Sequence, residues 1–243
     1  MSCRIYIGTS GWQYGDWADD NFYPKGLREK DWLEFYSRHF QTVEVNSTFY
    51  HQMAVTTFTK WKNTVPENFL FSVKISRWLT HIKKLNDPEE SWSKFIKNAS
   101  HLRDKLGPIL IQLPPRFKSN PIKLEKLFKI AGKKYRLALE VRDNSWFGEE
   151  IYKLLQKYQV SLVFSDMSEW LTPEIITTDF IYIRRHGPAD RYSSNYSQKQ
   201  LLALVNKIKK WQKLVKEIFV YFNNDTSGYA VKNALTLMKL VKA

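Results

Sequence analysis

Apolar and polar positions along the chain fall into one alternation repeated eight times. A short run of β-branched, aromatic and aliphatic residues ends on a polar or charged side chain, and a stretch of helical periodicity follows. The runs cover residues 4–10 (RIYIGTS), 42–46 (TVEVN), 69–74 (FLFSVK), 109–112 (ILIQ), 135–142 (YRLALEVR), 161–166 (SLVFSD), 180–186 (FIYIRRH) and 217–223 (EIFVYFN). Near-continuous apolar runs predict strands covered on both faces, and strands alternating with helices predict parallel βαβ units. Eight such units predict an α/β fold, an eight-stranded parallel (β/α)8 TIM barrel, as a single domain over residues 1–243. Barrels of this kind carry their chemistry at the C-terminal strand ends, where the polar endings fall.

The endings keep a common phase. Side chains alternate across a strand with period two, so Glu44 shares a face with Asn46, Glu140 with Arg142, Arg184 with His186, and Tyr221 with Asn223. With that face inward, the upper barrel layer is predicted to hold Glu44, Asn46, Lys74, Gln112, Glu140, Arg142, Asp166, Arg184, His186 and Asn223.

Helix signals between the runs are local. Asp31 with Glu34 predicts a capped start for a stripe of Trp32, Phe35, Tyr36 and Phe40. Asp87-Pro88-Glu89-Glu90 predicts another start, with Trp92, Phe95, Ile96, Ala99, Leu102 and Leu106 as its stripe and Gly107 as its stop. Asn120-Pro121 opens a third, closed by Gly132. Further helices are expected near 146–158, 198–211 and 228–241, and the sixth, after residue 168, is expected to be reduced or missing. Two long loops follow strand ends and should overhang the mouth. Residues 11–30 carry Trp12, Tyr14, Trp17, Phe22 and Tyr23, as lid, stacking surface or satellite core. Residues 187–197 carry Asp190, Arg191, Tyr192 and Tyr196.

Composition narrows the class. A hydrophobic fraction of 43% supports one large core, and the lone Cys3 excludes an internal disulfide and fits a reducing compartment. No stretch approaches the roughly 18 apolar residues of a membrane span, so a cytoplasmic protein with no membrane partner is expected. The net charge of +14 favours anionic partners. Much of it lies on two amphipathic helices, in Lys123, Lys126, Lys129, Lys133 and Lys134 and in Lys207, Lys209, Lys210 and Lys213, where it reads as a solvated outer face.

Several phrases are specific. GTSGWQYGDW at 8–17 with FYP at 22–24, VEVNSTFY at 43–50, THIKKL at 80–85, KLGPILIQLPP at 105–115, LEVRDNSWF at 139–147, RRHG at 184–187 and YFNNDTSGYAVKNA at 221–234 together resemble the YecE-like family, catalogued as domain of unknown function 72. The resemblance spans essentially the whole chain and implies the same eight-stranded barrel. It implies no reaction, because the family has none established. The chain departs from the family's Asp-Ser-Pro-like stretch after strand six, carrying Asp166-Met167-Ser168-Glu169 instead.

The endings favour acid–base chemistry on an anion. Glu44, Glu140, Asp166 and His186 are the candidate catalytic groups. Trp12, Tyr14, Asn46, Lys74, Gln112, Arg142, Arg184, Asn223 and Asn224 are the candidate substrate-binding ones, with Arg142 and Arg184 as forks for phosphate or carboxylate and Lys74 as a point charge. A glycosidase wants two carboxylates across one bond, but strands four and seven end on Gln112 and on Arg184 and His186. Glu140, Asp166 and His186 on successive strands resemble the metal sites of apurinic endonucleases and sugar isomerases, yet Arg142 and Arg184 would crowd a cation. No metal or cofactor is expected. Lys74 as a Schiff-base amine is less favoured than an ordinary ammonium. After strand eight, residues 223–228 lead into a helix whose N-terminus could hold phosphate, although Asp225 would more naturally cap it. The expected partner is a small anionic ligand, and both hydrolase and lyase reactions fit. The alternatives are a nucleic-acid-processing or nucleic-acid-binding barrel, with Trp12 and Tyr14 stacking a base, and a non-catalytic ligand-binding protein. Nothing in the sequence sets an oligomeric state.

Overall fold

A computed structural model describes residues 3–167, 170–189 and 192–242. Eight parallel strands carry the architecture: β1 (Arg4–Thr9), β2 (Thr42–Val45), β3 (Leu70–Lys74), β4 (Leu106–Gln112), β5 (Leu137–Glu140), β6 (Val160–Met167), β7 (Phe180–Arg185) and β8 (Glu217–Phe222). Hydrogen-bonded ladders run in the order β1-β8-β7-β6-β5-β4-β3-β2, which makes the eightfold alternation a nearly closed TIM barrel. Ser168, Glu169, Asp190 and Arg191, named above, lie outside the described residues.

Both faces of the strands are apolar because both are covered. Tyr6, Leu70, Leu110, Ala138, Val163, Phe180, Tyr182, Phe219 and Tyr221 fill the barrel interior. Ile7, Val43, Val45, Phe71, Val73 and their equivalents face the helix layer. That layer consists of α1 (Trp32–His39), α2 (Val55–Thr64), α3 (Pro88–Ala99), α4 (Pro121–Ala131), α5 (Glu149–Tyr158), α6 (Gln198–Trp211) and α7 (Tyr229–Lys242). No helix among the described residues is long and apolar enough to cross a membrane.

Among the described residues between β6 and β7 there is no outer helix, as the weak periodicity predicts. A two-residue strand, Trp170–Leu171, folds back antiparallel on the end of β6. The chain then runs extended along β6, where Thr172 Oγ1 accepts from the Ser165 amide at 2.8 Å and Thr177 Oγ1 donates to the Val160 carbonyl at 2.6 Å.

The one seam without a ladder lies between β1 and β2. Here the Tyr36 hydroxyl, projecting from α1, accepts from the Thr9 amide at 3.0 Å and donates to the Thr42 carbonyl at 3.1 Å. The two strands come so close that a Cβ on Gly8 would lie 2.2 Å from the Thr42 carbonyl oxygen, which only glycine tolerates.

Some local signals act differently from the sequence reading. Asp31 makes no side-chain cap and instead accepts from Arg28 Nε at 2.9 Å. Helix α3 ends at Ala99 and continues as a 3-10 turn, so Gly107 stops nothing. It lies within β4, where a Cβ would sit 3.0 Å from the Phe71 carbonyl oxygen. Asn120 does cap α4, accepting from the Lys123 amide at 3.0 Å.

Candidate active site

Strand alternation delivers the charged endings to one place. Val43 and Val45 take the helix-facing positions of β2, and Leu139 and Val141 those of β5 and the residue beyond it, leaving Glu44 and Glu140 to point inward. Arg184 comes in from β7 and holds Glu44 with two donors, Nε to Oε2 at 2.9 Å and Nη2 to Oε1 at 2.7 Å. Its Nη1 donates to Glu140 Oε2 at 2.6 Å, and the Tyr182 hydroxyl adds a bond to Glu44 Oε2 at 2.7 Å. Arg142 Nη2 donates to the other oxygen of Glu140 and lies 3.3 Å from His186 Nε2. The same His186 nitrogen is 3.4 Å from Glu140 Oε1, while Asn223 Nδ2 meets Nδ1 at 3.0 Å. The result is a buried floor of two carboxylates, two guanidiniums and an imidazole.

Lys74 stands apart from this network. Only 7% of it is exposed, its carbonyl accepts from Thr48 Oγ1 at 2.7 Å, and its ammonium lies 4.0 Å from the centre of the Phe49 ring with no hydrogen bond or ion pair among the described residues. Gln112, level with Glu140 in the β4–β5 register, is half-buried. Asn46 Nδ2 donates to the Ser10 carbonyl at 3.1 Å.

Three sequence-predicted residues lie elsewhere. Asp166 pairs in register with Arg185, and Ser165 with the inward Arg184, so Asp166 faces the helix layer. There it meets Arg185 Nη1 at 2.9 Å and accepts from the Tyr196 hydroxyl at 2.9 Å. The run at 161–166 ends one residue out of phase with its neighbours, and its last polar residue is therefore the wrong one to place inward. Trp12 is buried against Trp61, ring centres 5.3 Å apart, and offers no face to a base. Asn224 points away from the mouth and ties Ser194 to Asn233 through Nδ2, at 2.9 Å each. Tyr14 stays at the mouth: its hydroxyl donates to the Ser10 carbonyl at 2.6 Å and its ring lies 4.6 Å from that of Trp17. The loop 11–30 is a satellite core rather than a lid, with Trp17 and Tyr23 fully buried and Tyr23 stacked on Trp32 at 4.6 Å.

The sequence reading missed Tyr182, Ser10 and the side chain of Asp225. Period two from Arg184 and from Gly8 would have found the first two. Asp225 does not cap the following helix, because Asp16 Oδ2 takes the Ser227 amide at 2.7 Å. Its Oδ1 is buried without a partner.

The electrostatics divide the site. Burial raises the Glu44 and Glu140 carboxyls but is outweighed, by Arg184 and the Tyr182 hydroxyl for Glu44 and by Arg142 and Arg184 for Glu140. Both stay below the usual carboxylate range, Glu140 well below it, and are ionised at neutral pH. Burial and then Arg184 pull His186 down to about 4 against the pull of Glu140, leaving it neutral. Burial and then Arg184 pull Lys74 down to about 7, with Glu140 and Glu44 opposing. Burial lifts Asp225 to about 7, Tyr14 opposing and Glu44 adding. Proton exchange near neutrality thus belongs to Lys74 and Asp225. No three His, Cys, Asp or Glu side chains among the described residues converge as a metal site.

The sequence profile of the family described as "Protein of unknown function DUF72" matches residues 6–243. The chain belongs to the DUF72 family. It is 28% identical to the UPF0759 protein YunF of Bacillus subtilis over 98% of this chain and 94% of that one. It is also 28% identical to the UPF0759 protein YecE of Escherichia coli K12, over 60% of this chain and 52% of that one. Among solved structures, a DUF72 family protein from Thermotoga maritima superposes with a TM-score of 0.89 at 32% identity, covering 99% of this chain and 100% of that one. A D-psicose 3-epimerase shares only the barrel, with a TM-score of 0.54 at 9% identity over 98% of this chain and 96% of that one.

Proposed function

We propose that the mouth of this DUF72 barrel is an active site for a small carboxylate- or phosphate-bearing substrate, with Lys74 as its proton-transferring group. One observation carries the reading: the mouth holds a lysine that is almost fully buried and unpaired, beside a floor whose other charges are matched. Glu44 and Glu140 are committed to Arg184 and Arg142, so they balance and orient rather than exchange protons. Burial first, and then the charges of Lys74, Arg77 and Arg142, hold His81 down at about 4. An anion seated among them would restore the ammonium of Lys74. A bound substrate would then receive a proton from that ammonium.

The nucleic-acid alternative draws no support. Trp12 is buried, and several lysines of the outer helices are paired with acids, as in Lys126–Glu89 at 2.9 Å, Lys157–Glu125 at 2.7 Å and Lys207–Glu174 at 2.5 Å.

Sulfate is a suitable probe because it does not titrate between pH 6 and 8.5. At equal ionic strength it should raise Tm above the value in chloride, since only a ligand of the folded state stabilises by mass action. The effect should be larger at pH 6, where Lys74 is charged, than at pH 8.5, and Lys74→Met should remove it. Equal Tm in the two salts at pH 6 would refute the anion site.

A further inference from the structure

The part of the mouth formed by the ends of β8, β1 and β2, which adjoins Lys74 on β3, has a different character. Ser10 continues the inward phase of β1 that runs through Tyr6 and Gly8, Asn46 continues that of Glu44 on β2, and Asp225 follows Asn223 beyond β8. These strands are neighbours, β8 laddered to β1 and β1 closing on β2. Each of the three residues presents an oxygen that is buried and has no hydrogen-bond partner: Ser10 Oγ, Asn46 Oδ1 and Asp225 Oδ1. Shared contacts bring them together. Asn46 Nδ2 and the Tyr14 hydroxyl both donate to the Ser10 carbonyl, at 3.1 and 2.6 Å, and the Tyr14 hydroxyl also lies beside the Asp225 carboxyl. Ser10, Tyr14 and Asn46 line a cavity of about 190 Å³, and Asp225 adjoins it through Tyr14. Oxygens buried without partners are costly, and a serine with no side-chain bond is rarely maintained at full burial.

We infer that this part is a subsite for the hydroxyl groups of the substrate, so that the molecule taken up is a polyol or hydroxy acid bearing a phosphate or carboxylate at one end. The inference rests on the anion reading above for that charged end. Asn46 Oδ1 can only accept, Ser10 Oγ can accept and donate, and Asp225 adds a third oxygen. The set asks its ligand for hydrogen-bond donors. An ammonium group would supply them too, but burial raises Asp225 to about 7, which weakens its hold on a cation, and no Asp or Glu lines the cavity itself. Hydroxyls fit better. The floor formed by Glu44, Arg184 and Glu140 adjoins both parts, the basic one near β3 and β5 and the oxygen-rich one near β8, β1 and β2.

Two probes of similar size separate the ends: glycerol 3-phosphate, and propyl phosphate, which lacks the hydroxyls. Titration calorimetry on the wild-type chain should show glycerol 3-phosphate binding about tenfold tighter or more, the scale of one or two hydrogen bonds to otherwise unpaired groups. Ser10→Ala and, separately, Asp225→Asn should each shrink that ratio while leaving propyl phosphate unchanged. Ser10→Ala removes a single atom, and its Tm verifies folding. Equal affinities for the two probes in the wild type overturn the hydroxyl subsite while leaving the anion site standing. If neither probe binds but erythritol raises Tm in a Ser10-dependent way, the anion reading falls and the subsite survives. If none of the three binds, both fall.

Discussion

Glu44 is the residue on which the floor depends. Its carboxylate has no exposure and takes three of its bonds from Arg184 and Tyr182. Glu44→Gln removes the charge but keeps the shape, leaving the Arg184 guanidinium under-compensated in the interior. Breaking one partner of a buried pair costs about 3–5 kcal/mol, so the urea midpoint should fall sharply. Glu44→Gln combined with Arg184→Met should recover part of that loss, because the unpaired charge is then gone as well. A double variant less stable than the sum of the singles would contradict the pairing. At this scale the sequence was informative wherever phase could be counted from a firm anchor. Glu44, Glu140, Arg142, Arg184 and His186 were all legible in that way. Asp166 was not, because β6 extends past the common endpoint to Met167 and its terminal polar residue has the opposite phase. Asp225 was hidden because the residue that spares it from capping, Asp16, lies 209 positions away in sequence.

The elements show the same contrast between local and distant causes. Helices with a stripe and a Pro at N1, such as α3 and α4, were readable from neighbouring residues alone. Helix α2 was not, since VTTFTKWKNT is rich in β-branched residues and helical only because Phe58 and Trp61 pack into the core. Gly107 looked like a stop because glycines often end helices, whereas its task is a close strand approach that no local pattern reveals. The seam at β1–β2 belongs here too. Tyr36→Phe deletes one oxygen and leaves the Thr9 amide and the Thr42 carbonyl without their bridge. A loss of about 1–3 kcal/mol follows from leaving buried groups unpaired. Hydrogen exchange should report faster exchange at the Thr9 amide than in the wild type, with amides of the β7–β8 ladder little changed. An unchanged Thr9 amide would show that the seam is held by something other than this hydroxyl.

For the molecule as a whole, the fold was legible because eight separate alternations agree, and one poor helix did not disturb the count. The site adds a cost that varies with pH. Lys74 titrates at about 7 in the fold against an ordinary 10.5, so the unfolded chain binds an extra proton between these values. Stability therefore rises with pH across that interval. Asp225 works in the other direction: raised from 3.8 to about 7, it makes the folded chain the better proton binder there, and stability falls as pH rises through that range. His186 and His81, each lowered from 6.5 to about 4, restore stability over nearly the same span and oppose the Asp225 effect. Above pH 7 Lys74 is left to act. Urea midpoints of the wild type should climb from pH 7 to 9.5 relative to those of Lys74→Met, and a constant difference between the two proteins would show that Lys74 is not held neutral.

The ladder order has a consequence for how such a chain is made. β1 pairs along its whole length with β8 and meets β2 without a ladder, through the Tyr36 hydroxyl, a close carbonyl and the Asn46 amide. A chain emerging from the ribosome therefore releases its first strand long before that strand's only ladder partner has been translated. Until residue 222 is out, β1 is an edge without its ladder, held by Tyr36, since the helix that packs on it, α7, follows still later in the chain. Closure therefore waits for β8, and the inward ends Ser10 and Asn223, which come from the two strands that meet then, come side by side only once it has happened.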